Sequence, residues 1–413
     1  MKSKIVCLSL IVIMSIVAGL IAGCAPAAQP APATGTPAVK KPSAVVFYQM
    51  LDVSGPYAAD VQGAIGSITD AFEYINAKGG VDGVPWKHVY RDTGGDLKAA
   101  VAAYEAFKSM DPPPLLMQIT ESATNEALKD KLVEDGIVAF TSGAVPSFMY
   151  PPRNQYSFVP SYADVCGYWM DWAVATQPKP IKLAFLTYDS VFGRAILTDE
   201  IRAYAKEKGI EIVAEEVFGM TQMDLTTQLT RINDKGANWV YSNILGQSEA
   251  VVLKSAQQLG LIGKIKFTGC QWTMLAHTLT KLAGPLAEGY VAPSQLRNWE
   301  ETDVPYIKLI NERVIAAKAD QSSNWMQTLG FFLMATDIYT KAVKEVGWDK
   351  VDAAALKKQA EKLDKYDLGF SYLTLTAKKH ESPWVRMEQV KNGVIVPIGE
   401  FEKAPNLAPA AYR

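Results

Sequence analysis

Ile181-Lys182-Leu183-Ala184-Phe185-Leu186 is the stretch that decides the fold of this chain. The run is short, apolar and β-prone, and a helical pattern over residues 194–208 follows it. A strand pattern followed by a helical one also occurs upstream, at Val45-Val46-Phe47-Tyr48 and residues 63–77, so the same cycle begins twice. Strands that alternate with helices of this length predict parallel sheets covered on both faces. Two such cycles therefore predict two doubly wound α/β lobes.

Both cycles continue with further strands and helices. After the first start, strand patterns occur at residues 87–90, 115–119 and 137–140, and helical patterns at residues 98–110 and 125–135. After the second start, strand patterns occur at residues 211–217, 239–242 and 265–268, with helical patterns between them. Residues 302–363 are rich in helical pattern, and residues 370–398 have the pattern of a β-ribbon.

Composition excludes several classes of protein. The chain has 413 residues, of which 49% are hydrophobic, enough for two ordinary domains with a large core. Lys and Arg number 41 against 43 Asp and Glu, and the net charge of −2 argues against binding nucleic acid. Four cysteines in this length exclude a disulfide framework, and three histidines leave little material for a His-rich metal site.

The N-terminus predicts export. Lys2 and Lys4 precede an uncharged apolar run over residues 5–20, and Ile21-Ala22-Gly23-Cys24 follows. The run could also span a membrane, but the small residues before the cysteine favour cleavage. The four residues ending in Cys24 resemble the bacterial lipobox. We therefore expect a signal peptide over residues 1–23 and lipidation of Cys24.

The segment after the expected cleavage is a tether. Residues 24–42 are rich in Ala and Pro and lack the apolar residues that build a core, so they predict an extended linker. A lipid anchor followed by a tether places the body at a bacterial membrane, outside the cytoplasm. Cys166 and Cys270 remain in the body, either as buried thiols, which we favour, or as a disulfide, which export permits.

No enzyme signature is present in the sequence. A P-loop is missing, because Gly263-Lys264 lacks both the upstream glycine and the following hydroxyl. The Gly-x-Ser-x-Gly pattern of a nucleophile elbow is also missing. The sequence therefore predicts a protein that catalyses no reaction and carries no cofactor or metal.

Polar and aromatic residues instead follow the predicted strands. In open α/β sheets, ligands bind beyond the carboxyl ends of the strands. Ser54 and Ser122 offer hydroxyl groups there, Tyr57 and Tyr188 combine a ring with a polar tip, and Trp272 offers a flat face. Packing within the loops explains any one of them equally well. Their recurrence at the same end of both sheets favours a binding cleft.

Several motifs resemble a known family. They are Ser54-Gly55-Pro56-Tyr57, the stretch Ile75-Asn76-Ala77-Lys78-Gly79-Gly80-Val81-Asp82-Gly83 and Tyr188-Asp189-Ser190-Val191-Phe192-Gly193. Together they resemble the leucine/isoleucine/valine-type substrate-binding proteins of ABC transporters, which are type I periplasmic binding proteins. The resemblance covers nearly all of residues 43–401. It implies two lobes joined by three crossings, with the ligand held between the lobes on closure.

The resemblance also implies where the lobes divide. Crossings are expected near residues 158–161, 290–294 and 373–377, with Pro160 and Pro293 as hinge markers. Lobe one then comprises residues 43–160 and 291–375. Lobe two comprises residues 161–290 and 376–403, and residues 404–413 form a C-terminal tail.

The ligand-binding positions of the family match only in part. Relatives hold an amino-acid carboxylate with two lobe-one loops, which read Thr120-Glu121-Ser122-Ala123-Thr124 and Thr141-Ser142-Gly143-Ala144-Val145 here. Glu121 stands where a serine is expected, and Val145 where a threonine is expected. Gln271 replaces the acid that pairs the α-ammonium group in relatives. A shift of the alignment by one residue would return the carboxylate-binding role to Ser122.

These differences predict a ligand other than a simple branched-chain amino acid. We expect a neutral or amine-bearing compound with a flat or apolar part, and Glu121 would accept its hydrogen bonds or pair its charge. Trp272 and Tyr188 would cover the apolar part, while Asn243 and Gln271 would make neutral polar contacts. Gly143, Ala144 and Val145 would line the pocket. Trp325 would either close it or pack in the core.

The sequence thus predicts a monomeric, lipid-anchored solute-binding protein. It would deliver a small organic ligand (amino-acid-like, amide, amine or aromatic) to an ABC permease and bind no nucleic acid. An alternative is a sensor subunit of the same fold, which would report ligand occupancy to a membrane receptor.

Overall fold

The computed structural model describes residues 41–61, 63–275 and 278–413. The expected signal peptide, the lipid attachment at Cys24 and all but the end of the tether lie outside these residues. Within the described ranges, none of the helices combines the length and hydropathy that crossing a membrane requires.

A five-stranded parallel sheet lies in the first half of the described chain, with the strand order β2-β1-β3-β4-β5. Its strands are β1 (Val45–Leu51), β2 (Trp86–Asp92), β3 (Leu116–Ile119), β4 (Val138–Thr141) and β5 (Gln155–Ser157). The helices that alternate with them are α1 (Ala58–Val61), α2 (Ala64–Ala77), α3 (Leu97–Lys108), α4 (Ser122–Glu134) and α5 (Pro146–Met149). This arrangement confirms the first predicted lobe.

Both faces of this first sheet are buried, because successive side chains of a strand point to opposite faces. Phe47 of β1 packs on one face, where its ring centroid lies 4.8 Å from that of Phe332. Tyr48, the next residue, packs on the other face, 5.2 Å from the ring of Phe107 in α3. A strand buried on both sides loses the alternation of polar and apolar residues, which explains the continuous apolar run in the sequence.

The Asn-Ala-Lys-Gly-Gly motif after α2 builds the turn into β2. Asn76 accepts a hydrogen bond from the backbone N–H of Trp86 (2.7 Å) and donates one to its carbonyl (3.1 Å). Gly80 has a φ of 58°, and a Cβ there would lie 2.2 Å from the carbonyl oxygen of Val84. Only glycine fits this close approach, so the motif is needed for the fold.

A four-stranded parallel sheet forms the second repeat of the cycle, with the strand order β7-β6-β8-β9. Its strands are β6 (Ile181–Tyr188), β7 (Ile210–Phe218), β8 (Trp239–Asn243) and β9 (Lys266–Gly269). Around it are the helices α6 (Tyr162–Thr176), α7 (Val191–Arg194), α8 (Asp199–Glu207), α9 (Thr226–Asp234), α10 (Gly246–Gln258) and α11 (Thr278–Ala283). The second predicted lobe is therefore also confirmed.

The C-terminal part adds helices and antiparallel strands. The helices are α12 (Pro305–Ala316), α13 (Ser323–Val346) and α14 (Ala353–Ala360). The strands are β10 (Val291–Ser294), β11 (Tyr366–Asp367), β12 (Tyr372–Leu373), β13 (Trp384–Lys391), β14 (Val394–Pro397) and β15 (Glu402–Lys403). β13 pairs with β10, β14 and β15, and β11 pairs with β12.

The described chain passes three times between the apolar clusters of the two lobes. Val159 packs in the cluster of the first sheet and Tyr162 in that of the second, so the packing favours a first crossing between these two residues. At the second crossing, Val291 and Ala292 still pack with the second sheet, and the first cluster resumes at Leu296. The packing thus favours a boundary after Ala292, whereas the expected boundary precedes Val291.

The third crossing also differs from the expected boundary at residue 376. The carbonyl of His380 accepts a hydrogen bond from the N–H of Ser157 (2.7 Å), and the N–H of Ser382 donates to the carbonyl of Ser157 (3.1 Å). These bonds attach the segment to β5, so it extends the first sheet. The packing favours a crossing between Ser382 and Met387, whose side chain lies in the second cluster.

Buried cysteine thiols lie in the second lobe. Cys166 and Cys270 are both free and fully buried, as favoured from the sequence. Burial raises the pKa of the Cys270 thiol to about 12 and also raises that of Cys166, so both groups stay protonated and unreactive at neutral pH.

A buried acid in the second lobe makes stability depend on pH. Glu249 of α10 is inaccessible to solvent, and burial raises its pKa to about 8, against the smaller opposing effect of the Ser242 and Tyr290 hydroxyls. The folded protein keeps a proton that an unfolded chain releases above pH 4.5. The stability due to this group is therefore complete below pH 4.5 and is lost as the pH rises towards 8.

Glu249→Gln is expected to remove this pH dependence. The variant should raise the free energy of unfolding by about 1–2 kcal/mol at pH 8, because no carboxylate is then left to ionise in the core. At pH 5 the gain should be small. Urea unfolding at both pH values measures it, with Glu207→Gln on the exposed side of α8 as the control. An equal gain at both pH values would contradict the explanation.

Candidate binding cleft

A cleft lies between the two lobes at the carboxyl ends of their parallel strands. It contains about 1050 Å³ of empty space, counted together with the solvent at its mouth. From the first lobe, the loops after β1, β3 and β4 supply Asp52, Thr120, Glu121, Ser122 and Ser142. From the second lobe, Tyr162, Phe192, Leu245 and Trp272 line the opposite wall. The position agrees with the rule that ligands bind beyond the carboxyl ends of strands in such sheets.

Asp52 is held rigidly by its neighbours in the first lobe. One carboxylate oxygen accepts hydrogen bonds from the Thr93 hydroxyl (2.5 Å) and the Gly95 N–H (2.9 Å). The other accepts one from the hydroxyl of Thr120 (3.3 Å). These bonds keep a carboxylate at the cleft wall although only 2% of the residue is exposed.

Glu121 caps the helix that begins at the cleft. One of its carboxylate oxygens (Oε2) accepts a hydrogen bond from the Thr124 N–H (2.6 Å) at the start of α4. Burial raises the pKa of Glu121, the N–H groups of Ala123 and Thr124 lower it, and Asp52 adds a smaller increase. The net direction is upward, because burial disfavours the charged form of the carboxyl group.

The second-lobe wall is aromatic. The indole N–H of Trp272 donates to the hydroxyl of Tyr162 (3.2 Å), and the rings of Tyr162 and Phe192 lie 4.8 Å apart. Tyr162 also approaches the first lobe, where a Cβ on Gly143 would come within 2.6 Å of its hydroxyl. A glycine is needed there because any side chain would displace Tyr162.

The cleft carries negative charge. Asp52 and Glu121 line it, and no lysine or arginine does so among the described residues. The same part of the chain contains no group of three or more His, Cys, Asp or Glu side chains that could hold a metal ion. The arrangement can accept hydrogen bonds and pair a cation, whereas it would repel an anionic ligand.

Four residues predicted from the sequence line the cleft, and these are Tyr57, Glu121, Ser122 and Trp272. Ser54 lies outside it, on the exposed loop after β1, where its N–H donates to Asp92 (3.3 Å). In the second predicted loop, Ser142 lines the cleft, whereas the backbone of Gly143 and Ala144 bonds within the protein. The Gly143 N–H donates to the Thr141 hydroxyl (3.2 Å), and the Ala144 carbonyl accepts from the Tyr162 N–H (3.2 Å).

Five further predicted side chains point into the protein. The Tyr188 hydroxyl donates to Ser248 (2.6 Å), and the Asn243 amide donates to the carbonyl of Phe192 (2.7 Å). Gln271 donates to the carbonyl of Pro160 (3.2 Å), so it connects the second lobe to the first crossing. Val145 packs in the apolar cluster of the second sheet and Trp325 in that of the first. The polar groups of Tyr188, Asn243 and Gln271 thus have partners inside the protein, and the packing of Trp325 is the core alternative that the sequence left open.

Six of the residues that sequence reasoning missed come from α13. Ser323, Asn324, Gln327, Thr328, Phe331 and Phe332 line the cleft although they lie more than 200 residues after Glu121. Gln49 and Gln118, on β1 and β3, were also missed. A polar residue inside an otherwise apolar strand was the available signal, since such a strand is buried on both faces.

Comparison with known families agrees with this architecture. A family model described as "Periplasmic binding protein" matches residues 49–389. The leucine-, isoleucine-, valine-, threonine- and alanine-binding protein of Pseudomonas aeruginosa is 25% identical over 243 residues, which is 58% of this chain and 63% of that relative. The alignment thus spans less than two thirds of that relative's length. The Leu/Ile/Val-binding protein of Citrobacter freundii is 24% identical, covering 67% of this chain and 73% of the relative.

Solved structures show the same fold. A branched-chain amino acid ABC transporter protein of Thermus thermophilus, solved with bound valine, gives a TM-score of 0.76 at 22% identity and covers 87% of this chain and 96% of its own. A fatty acid ABC transporter substrate-binding protein of Thermomonospora curvata gives a TM-score of 0.79 at 17% identity, covering 91% and 98%. Identities this low support the fold and leave the ligand open.

Proposed function

Because the chain belongs to the periplasmic binding protein family, we propose that it captures a small organic ligand outside the cytoplasm and delivers it to an ABC permease. Members of the family are substrate-binding proteins of transporters, and their location is extracytoplasmic. The motif at Cys24 and the tether after it support a lipid anchor, and this part of the proposal depends on the sequence alone.

The proposed ligand carries an amine and an apolar or flat part. The observation that supports it is a cleft with two carboxylates, an aromatic wall and no cationic side chain among the described residues. A ligand ammonium group beside Glu121 would supply the missing positive charge, and Trp272 and Tyr162 would pack against the apolar part. A free amino-acid carboxylate would meet repulsion from both acids.

Binding is proposed to shift the lobes towards a closed state. Residues of both lobes line the cleft, so a ligand that contacts both walls stabilises closure by its differential affinity for the closed form. The closed form would then be the one that docks on the permease. Small-angle X-ray scattering should show a smaller radius of gyration on addition of a ligand, and an unchanged radius would contradict closure.

A thermal-shift screen tests the proposed ligand class. The panel should contain amines, amides, aromatic acids and the common amino acids, each added to the purified protein. A ligand at 100 times its Kd adds about 2.7 kcal/mol of stability, which a shift of the midpoint reveals. We expect the largest shifts from amine-bearing compounds. Leucine or valine giving the largest shift would contradict the proposed ligand.

A further inference from the structure

The cleft extends into the first lobe, between the first sheet and the helices that cover it. We call this extension the inner chamber and define it by Gln49, Ile68, Gln118, Gln327, Phe331 and Phe332. Gln49 lies two residues after Phe47 in β1, and Gln118 two residues after Leu116 in β3, so both glutamines belong to the sheet face that α2 and α13 cover.

Three carboxamide groups in this layer need an explanation. Phe47, Phe332 and their neighbours otherwise make the interface between sheet and helices apolar. Yet Gln49, Gln118 and Gln327 are only 3%, 9% and 8% exposed. Burying a polar group is unfavourable unless it is hydrogen-bonded, and an apolar residue would serve packing better. Their positions therefore point to a role in the chamber.

A chain of hydrogen bonds orients two of these amides. The Gln49 amide nitrogen donates to the Gln118 carbonyl oxygen (2.7 Å). The Gln49 carbonyl oxygen lies 3.0 Å from Nε2 of His88, and because it can only accept, that ring nitrogen carries the proton. Burial lowers the pKa of His88 to about 4, so the ring is neutral. The chain ends at the Gln118 amide nitrogen, which is left to donate into the chamber.

Gln327 supplies a hydrogen-bond acceptor that complements the donor of Gln118. Its amide nitrogen donates to the Ser323 carbonyl (3.0 Å) in the preceding turn of α13. Its carbonyl oxygen is buried and has no hydrogen-bond partner among the described residues. The chamber thus offers a donor from Gln118, an acceptor from Gln327 and the rings of Phe331 and Phe332, whose centroids lie 5.0 Å apart.

We propose that the inner chamber is a second subsite that binds a planar, uncharged group with both a hydrogen-bond acceptor and a donor, such as a primary carboxamide or a lactam ring. Gln118 would donate to its oxygen, Gln327 would accept from its N–H, and Phe331 and Phe332 would form an apolar wall beside it. A carboxylate would be rejected, because it has no hydrogen to offer Gln327 and no cation to pair with. The inference rests on the proposed function, since it assumes that the cleft binds a solute.

Matched pairs of probes test the chamber by isothermal titration. Benzamide and nicotinamide are compared with benzoate and nicotinate, which replace the amide by a carboxylate on the same ring. The amides should bind at least tenfold more tightly than their acids. Gln118→Met and Gln327→Met keep the side-chain length and remove the polar groups, and each should weaken amide binding about tenfold. Gln228→Met, at a buried position on α9 outside the cleft, is the matched control and should leave binding unchanged.

A third probe separates this inference from the proposed function. Benzylamine lacks an amide, so its binding depends on the acidic part of the cleft, and the two Gln→Met variants should leave its affinity unchanged. Binding of benzylamine would leave the proposed function standing. The second subsite would still be contradicted if the acids bound as tightly as the amides, or if amide binding survived both substitutions. If both variants weaken benzylamine as much as the amides, the glutamines act through folding and the subsite is also contradicted. If none of the probes binds, the inference and the proposed function both fail.

Discussion

Glu121→Gln is expected to weaken the binding of an amine ligand at least thirtyfold. The change removes the negative charge that would pair the ammonium group and keeps the size of the side chain. Removing one partner of a desolvated charge pair costs about 2–5 kcal/mol, and about 2 kcal/mol corresponds to a thirtyfold change in Kd. The glutamine keeps a carbonyl oxygen that can accept from the Thr124 N–H, so α4 should still form. Titration calorimetry with the best amine of the screen measures the effect.

The pH dependence of binding checks the same role. Burial raises the pKa of Glu121 above its ordinary value of 4.5, so the carboxylate gains a proton while the pH is still above 4.5. Amine affinity should therefore fall as the pH is lowered towards and through that raised pKa. The Glu121→Gln variant should show no such fall.

A control on the same helix separates charge from position. Glu126 also lies on α4, where it pairs with Lys129 (2.6 Å) outside the cleft. Glu126→Gln should change ligand affinity less than twofold, since a partly exposed ion pair away from the ligand contributes about 1 kcal/mol or less to stability and nothing directly to binding. Equal losses in the two variants, or an unchanged affinity in Glu121→Gln, would contradict the role of Glu121.

Lys379→Met is expected to lower the free energy of unfolding by about 3–5 kcal/mol, because it leaves two buried carboxylates without their cation. The Lys379 ammonium lies 2.5 Å from Asp164 and 3.4 Å from Glu381, and both acids are 1% exposed. Asp164 also accepts from the N–H of Leu407 (2.7 Å), and Glu381 accepts from the hydroxyl of Tyr150. The cluster therefore joins α6, the segment that extends the first sheet and the C-terminal segment. Urea unfolding measures the loss of stability.

An exposed lysine is the matched control for this prediction. Lys358 pairs with Glu345 on the surface, where the lysine side chain is 58% exposed. Lys358→Met should change stability by about 0.5 kcal/mol or less. The double variant Lys379→Met with Glu381→Gln should recover part of the loss, since one uncompensated charge is then removed. A loss at Lys379 no larger than at Lys358 would contradict a structural role for the cluster.

The binding cleft was predictable where a residue's position on a loop decides its role. Glu121 and Ser122 follow a strand of the first sheet, Trp272 follows a strand of the second, and all three line the cleft. Tyr188 and Asn243 occupy the last positions of their strands and satisfied the same criterion. Their side chains nevertheless point into the second lobe, because Ser248 and the carbonyl of Phe192 offer buried hydrogen-bond partners there. Strand-end position alone does not reveal such partners.

Local sequence pattern predicts the order of strands and helices, the two lobes and the glycine turn after α2. It does so because backbone propensity and the burial of apolar runs act over a few residues. The inner chamber depends on contacts between distant parts of the chain. Gln49, Gln118 and Gln327 come from β1, β3 and α13, and they meet only because α13 packs on the first sheet. A polar residue within an apolar strand marks a candidate in the sequence. Long-range packing then decides which polar side chains face a ligand and which find a partner inside the protein.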